Sequence, residues 1–150
     1  MSWLTAELPG TGGVYKEYPE DFQVEEIPLY PCCGDGEHLY LWIEKEGIST
    51  RELLGQLSRG LQLNERELGY AGLKDARART RQMISIPAGR ADRLTGLQLR
   101  KARILRQERH SNKLRLGHLA GNRFTIRLRN PHPQAAQRAA AILQVLEQQG

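Results

Sequence analysis

The sequence predicts a mixed α+β fold in one domain spanning residues 1–150. Three observations predict it. Strand-like and helix-like segments interleave along the chain. Many strand candidates are close neighbours in sequence, and residues 122–129 alternate apolar and polar side chains with the period of two of a half-covered strand.

The elements follow in order. Residues 14–18 and 22–27 read as strands on either side of a turn at Pro19, Glu20 and Asp21. Pro28, Pro31, Gly34 and Gly36 mark a loop. Residues 38–44 alternate Leu39, Leu41 and Ile43 with Tyr40 and Trp42, a strand with both faces partly covered. Ser49 with Glu52 three positions on forms a capping box, and Leu53, Leu54, Leu57 and Leu61 have helical spacing. Asn64 with Glu67 predicts a second short helical turn. Residues 68–71 form a short strand, 72–78 a loop, and 81–86 a strand closed by Pro87. Residues 99–109 form a basic extended segment. In residues 122–129, Phe124, Ile126 and Leu128 are expected to cover a core, while Arg123, Thr125, Arg127 and Arg129 face solvent or phosphate. Pro133 opens a last helix with Ala136, Ala140, Leu143 and Leu146 as its apolar stripe.

Composition narrows the function classes. Hydrophobic residues make up 39% and charged residues 26% of the chain, a globular balance. No apolar run reaches the roughly 18 residues that a membrane helix needs. Residues 1–13 lack a basic region followed by an apolar run, so no signal peptide is expected. The two cysteines, Cys32 and Cys33, are adjacent and poorly placed to bridge each other, which fits a reducing cytoplasm. Cys32, Cys33 and His38 could suggest a metal, but a structural zinc site needs four ligands, usually with Cys-x-x-Cys spacing, and no metal is expected.

The net charge is +5, unevenly spread. Residues 1–76 hold 14 acidic and 6 basic side chains, whereas residues 77–129 hold 15 basic and 2 acidic ones. Such a surplus points to a polyanion, because lysines and arginines that neutralise phosphates release condensed counterions. The alternative is a solvated basic face answered by acidic neighbours from the N-terminal half.

The residues best placed for chemistry are Tyr70-Ala71-Gly72-Leu73-Lys74-Asp75. A strand runs into a glycine, which can take a tight or left-handed conformation, and then into a loop presenting Asp75. Arg77, Arg79 and Arg81 follow. A carboxylate beside several cations stays ionised, which suits a nucleophile and not a general acid. The competing reading is a plain turn aspartate.

Ala71-Gly72-Leu73-Lys74-Asp75, followed by a basic stretch and by Thr80 and Gln82, resembles the signature of the D family of tRNA pseudouridine synthases. Pro19-Glu20-Asp21-Phe22-Gln23-Val24-Glu25-Glu26 is similar to that family's N-terminal motif. Lys113-Leu114 through Gly117, with Gly121-Asn122-Arg123-Phe124, is similar to a third, and the Gly34-Asp35-Gly36-Glu37-His38 loop also fits. One position departs: Arg79 stands before Thr80 where the family usually has an apolar residue.

The resemblance implies the pseudouridine-synthase catalytic-core fold, a mixed sheet with flanking helices. It implies Asp75 as the catalytic nucleophile, with Phe22 and Asn122 lining the uridine site. The substrate would be a uridine of tRNA, typically position 13. The family's enzymes are much longer, so the chain is expected to be the N-terminal part of the catalytic domain, truncated at Gly150.

Isomerisation to pseudouridine oxidises nothing and releases no group, so no cofactor is expected. A flipped uracil needs a wall to stack on, which Phe22 supplies, and an edge partner, which the Asn122 amide supplies. Phe22 as ordinary core and Asn122 as turn support are the alternatives. Arg77 and Arg79 would hold the RNA backbone. Lys74 would contact phosphate or pair with a carboxylate elsewhere. Two other function classes compete: a non-catalytic RNA-binding fragment, and a basic structural protein of a ribonucleoprotein. The second leaves the ordered motifs unexplained.

Overall fold

The computed structural model describes residues 3–150, so the first two positions of the segment read for a leader lie outside it. Six strands and two α-helices alternate: β1 (Phe22–Pro28), β2 (His38–Glu46), α1 (Thr50–Leu61), β3 (Gly69–Tyr70), β4 (Arg79–Pro87), β5 (Ala102–His110), β6 (Leu119–Ile126) and α2 (Ala135–Gln149). The sheet runs β5-β2-β4-β1-β6, with β3 added along β4. Only β1 and β4 pair in parallel, and the other pairings are antiparallel. The mixed α+β expectation holds.

Local chemistry explains most boundaries. Ser49 Oγ accepts from the Glu52 amide at 3.1 Å, and Glu52 answers the Ser49 amide at 3.3 Å, which starts α1. Asn64 and Glu67 do the same for a single 3₁₀ turn at Glu65–Glu67. Leu53, Leu57 and Leu61 are fully buried against Leu41, Ile43, Ile84 and Ile86 of β2 and β4. This cluster is the main core and fixes which sheet face the helix covers.

The opposite face carries charge. Strand register sets Arg123, Glu25, Arg81, Glu44 and Arg103 side by side across β6, β1, β4, β2 and β5. Arg81 reaches Glu44 at 2.9 Å and Glu25 at 3.4 Å, and Arg103 reaches Glu44 at 2.7 Å. Much of the basic surplus in the second half is therefore answered by the acidic first half, as the charge alternative allowed.

Several expectations are corrected. Residues 14–18 form no strand: Val14 makes a single bridge with Arg129, because Lys16 takes a left-handed φ of 57° that no strand tolerates. β6 stops at Ile126, and its apolar row does not cover a core. Phe124 is 55% exposed and Ile126 50%, since no element of the described chain lies over that side of the edge strand. Arg127 and Arg129 do not simply face solvent; both turn to the buried carboxylate of Asp21. In α2 the apolar stripe exists in sequence but no residue of the helix is buried. No helix among the described residues is long and apolar enough to cross a membrane.

Candidate active site

Asp75 sits in the loop joining β3 to β4, and the loop is tied down from four sides. Thr50, the first residue of α1, accepts the Lys74 amide on its hydroxyl at 2.9 Å and donates to Gln82 Oε1 at 2.9 Å. Lys74 Nζ lies 2.9 Å from Glu26 Oε2, and both side chains are almost wholly buried. Lys45 Nζ donates to the Asp75 carbonyl at 2.8 Å. Gln82 makes a longer contact of 3.5 Å to the Gly72 carbonyl. Thr80 and Gln82 are themselves fully buried, so these signature positions belong to the floor of the loop.

The Asp75 carboxylate faces outward on this floor. Oδ1 accepts the Arg77 amide at 2.8 Å, and Oδ2 accepts from Lys16 Nζ. The Lys16 hydrogen bond, then that amide, hold the carboxyl below its ordinary value, against a smaller opposing effect of burial. Asp75 is therefore an ionised, partly exposed carboxylate. The ionised state matches expectation but its cause does not. The expected cations, Arg79 and Arg81, bind Glu46 and Glu44 instead, because strand alternation points them to the other sheet face. Nor does Gly72 take a positive φ; hydrogen bonds, not a left-handed turn, shape the loop.

Lys16 links Asp75 to the aromatic part of the site. Its ammonium lies 4.0 Å from the centroid of the Phe22 ring. Phe22 in turn meets Phe124 edge to face, with centroids 6.0 Å apart. Asn122 lies two residues before Phe124 on β6 and opposite Glu26 of β1, so it shares that sheet face. Phe22 and Asn122 thus share one face of β1 and β6, four positions apart along the strand pair, and Phe22 is linked to Asp75 through Lys16. Arg77 contributes its amide to Asp75, and its side chain is exposed. Arg79 sits on the opposite face, paired with Glu46 at 2.7 Å. For Lys74 the structure shows the carboxylate partner and not an exposed ammonium ready for phosphate.

The sequence reading missed Lys16, Lys45, Glu26 and Phe124 as parts of this site. Alternation alone places Phe124 in the core. Lys16 carries no spacing signal, and its left-handed φ is visible only in three dimensions. A cavity of about 430 Å³ opens beside Lys45, which lines it with Glu44, Glu46, Lys101 and Arg103 among others; Asp75 does not line it. No group of three or more His, Cys, Asp or Glu suited to a metal ion occurs among the described residues.

The family model for tRNA pseudouridine synthase D (TruD) matches residues 1–150. The chain belongs to the TruD family.

A TruD relative from Syntrophotalea carbinolica is 59% identical over 149 residues, covering 99% of this chain and 37% of the relative. Another from Thermus thermophilus is 51% identical, covering 99% and 42%. A solved structure from Methanosarcina mazei, described as a tRNA pseudouridine synthase D, matches with a TM-score of 0.81 and 31% identity, over 97% of this chain and 33% of that one. The TruD catalytic-core fold is thereby established for these residues. The chain spans about two fifths or less of the length of the TruD proteins it matches.

Proposed function

We infer that this chain carries the nucleophile of a tRNA pseudouridine synthase, and that the nucleophile is Asp75. The observation that supports the reading best is the placement of Asp75. It is paired with Lys16, beside an aromatic pair, on a loop tied to the sheet by buried bonds. The substrate is a uridine of tRNA, position 13, in the cytoplasm where tRNA is found. The base leaves its stack and lies against Phe22, and the Asn122 amide pairs with the uracil edge. Base–aromatic stacking contributes about 1–3 kcal/mol to holding it there. Asp75 attacks the nucleotide and forms a covalent adduct as the N1–C1′ bond breaks. The uracil turns and C5 bonds to C1′. The hydrogen on C5 leaves to solvent, N1 takes up a proton, and the carboxylate is released, so nothing is oxidised overall. Arg77 is the exposed cation nearest the nucleophile along the chain and serves the RNA backbone. Lys74 and Arg79 support substrate through the loop and the sheet that they brace.

The test is tritium release from tRNA labelled with 5-³H-uridine, comparing the native protein with Asp75→Ala. Release is expected from the first and none from the second. Activity that survives in Asp75→Ala would sink the assignment.

One observation favours a second reading, RNA binding without isomerisation: Phe124 and Ile126 are half exposed, so the aromatic side of the site is open. That reading predicts tRNA binding that weakens steeply with salt and no tritium release from the native protein.

A further inference from the structure

Lys45 is the one buried lysine of the site that forms no ion pair among the described residues. It stands near the end of β2, is 1% exposed, and its Nζ donates to two backbone carbonyls, Ile48 at 2.7 Å and Asp75 at 2.8 Å. Burying an ammonium against neutral partners is costly, and a methionine would fill similar space at no such cost. Burial pushes the Lys45 amine down to about 8, against the pull of the Asp75 and Glu52 carboxylates, while the Lys74 charge adds to the depression. What this cation secures is specific. The bonds from Thr50 and Gln82 hold the Lys74 amide and the Gly72 carbonyl, which are neighbours of the nucleophile. Lys45 alone holds a backbone atom of Asp75 through a side chain from the sheet. With the Arg77 amide on Oδ1 and Lys16 on Oδ2, it leaves Asp75 anchored at its main chain and at both carboxylate oxygens.

We propose that Lys45 is a positioning residue for Asp75, pinning the carbonyl of the nucleophile to the segment that leads into α1 and so setting the direction of its carboxylate. The proposal rests on Asp75 being the nucleophile. A reacting group displaced by about 1 Å can lose on the order of a hundredfold in rate. The effect is expected in the chemical step, because Lys45 is 1% exposed and its ammonium is turned to backbone carbonyls.

The experiment measures tritium release and its pH dependence in the native protein, Lys45→Met, Lys45→Gln and Asp75→Ala. Lys45→Met is expected to lower kcat by at least about tenfold with KM within about twofold. Its acid limb should move to higher pH, since a cation favouring the ionised carboxylate has gone; Glu52, Lys74 and Lys16 remain. Lys45→Gln keeps an amide donor group and drops the charge, and is read by the same limits if the methionine variant does not fold. A folded variant with native kcat, or with a loss confined to KM, overturns the inference and leaves the nucleophile intact, provided Asp75→Ala is inactive. Failure of both variants to fold also overturns it, because Lys45 would then be a determinant of folding. An active Asp75→Ala overturns the reading beneath it.

Discussion

Lys16 donates to the Asp75 carboxylate from 59 positions earlier in the chain, while the same ammonium lies 4.0 Å from the Phe22 ring centroid. One residue with a left-handed backbone therefore both lowers the pKa of the carboxylate and links it to the aromatic wall. Holding a non-glycine residue there costs on the order of 1–3 kcal/mol, a cost that tends to persist where function requires the geometry.

Removing that ammonium should be felt in the chemistry. A hydrogen bond to a charged group contributes about 1.5–3 kcal/mol, so Lys16→Met is expected to lower kcat/KM by roughly ten- to a hundredfold. The Asp75 carboxyl should rise toward its ordinary value of 3.8, carrying the acid limb of the rate profile upward. A rate and profile identical to the native protein's would show that Lys16 serves neither purpose.

A second carboxylate makes a stability prediction. Asp21 is fully buried and takes Arg129 in a two-point contact, at 2.6 and 2.9 Å, across 108 positions. The Arg129 bond holds the Asp21 carboxyl below its ordinary value, against burial. A depressed carboxylate stabilises the fold above its unfolded value and loses that contribution as pH falls through the folded one. Melting temperature should therefore drop from about pH 5 downward in the native protein. Arg129→Met should melt lower at neutral pH and show a flatter acid dependence. Parallel curves for the two proteins would remove this pair from the account.

The buried pair of Glu26 and Lys74 tests the loop's foundation. Taking away one partner leaves a charge uncompensated, so Lys74→Met should cost about 3–5 kcal/mol in urea unfolding. The double variant Glu26→Gln with Lys74→Met removes both charges and should be more stable than Lys74→Met alone. Strict additivity of the single effects would mean that the pair is not coupled.

The core beneath the site can be weighed separately. Leu57 is fully buried between α1 and the sheet, and Leu57→Ala should cost about 2–5 kcal/mol. Ser49→Ala, which removes only the cap of α1, should cost about 0.5–2 kcal/mol. Denaturant titration of both variants checks the order. A cap loss exceeding the core loss would mean that the loop below Ser49, and not the leucine layer, limits stability.

Much was legible without coordinates because it depends on local rules. The capping box at Ser49 and Glu52, the leucine spacing of α1, the β2 and β4 strands and the Asp75 loop follow from short-range hydrogen bonding and periodicity. The family resemblance rested on motifs in the Asp75 loop and β4, at the start of β1 and leading into β6. What failed depended on partners far away in sequence. Alternation along β6 says that Phe124 and Arg123 face opposite sides, but not which side is covered; that depends on whether another element lies over the edge strand. The arginines after Asp75 looked like its neighbours along the chain, yet β pleating sends Arg79 and Arg81 to glutamates on the far face.

By itself, then, the amino-acid sequence determined the α+β class, the loop that presents Asp75 and the family. Only the tertiary structure decided which cation pairs with Asp75, that Lys74 is paired with Glu26, and that Lys45 holds the Asp75 carbonyl. The reason is physical. Periodicity and capping act over a few residues, whereas ion pairs and buried donors form between whatever side chains the folded sheet brings within about 3 Å of one another.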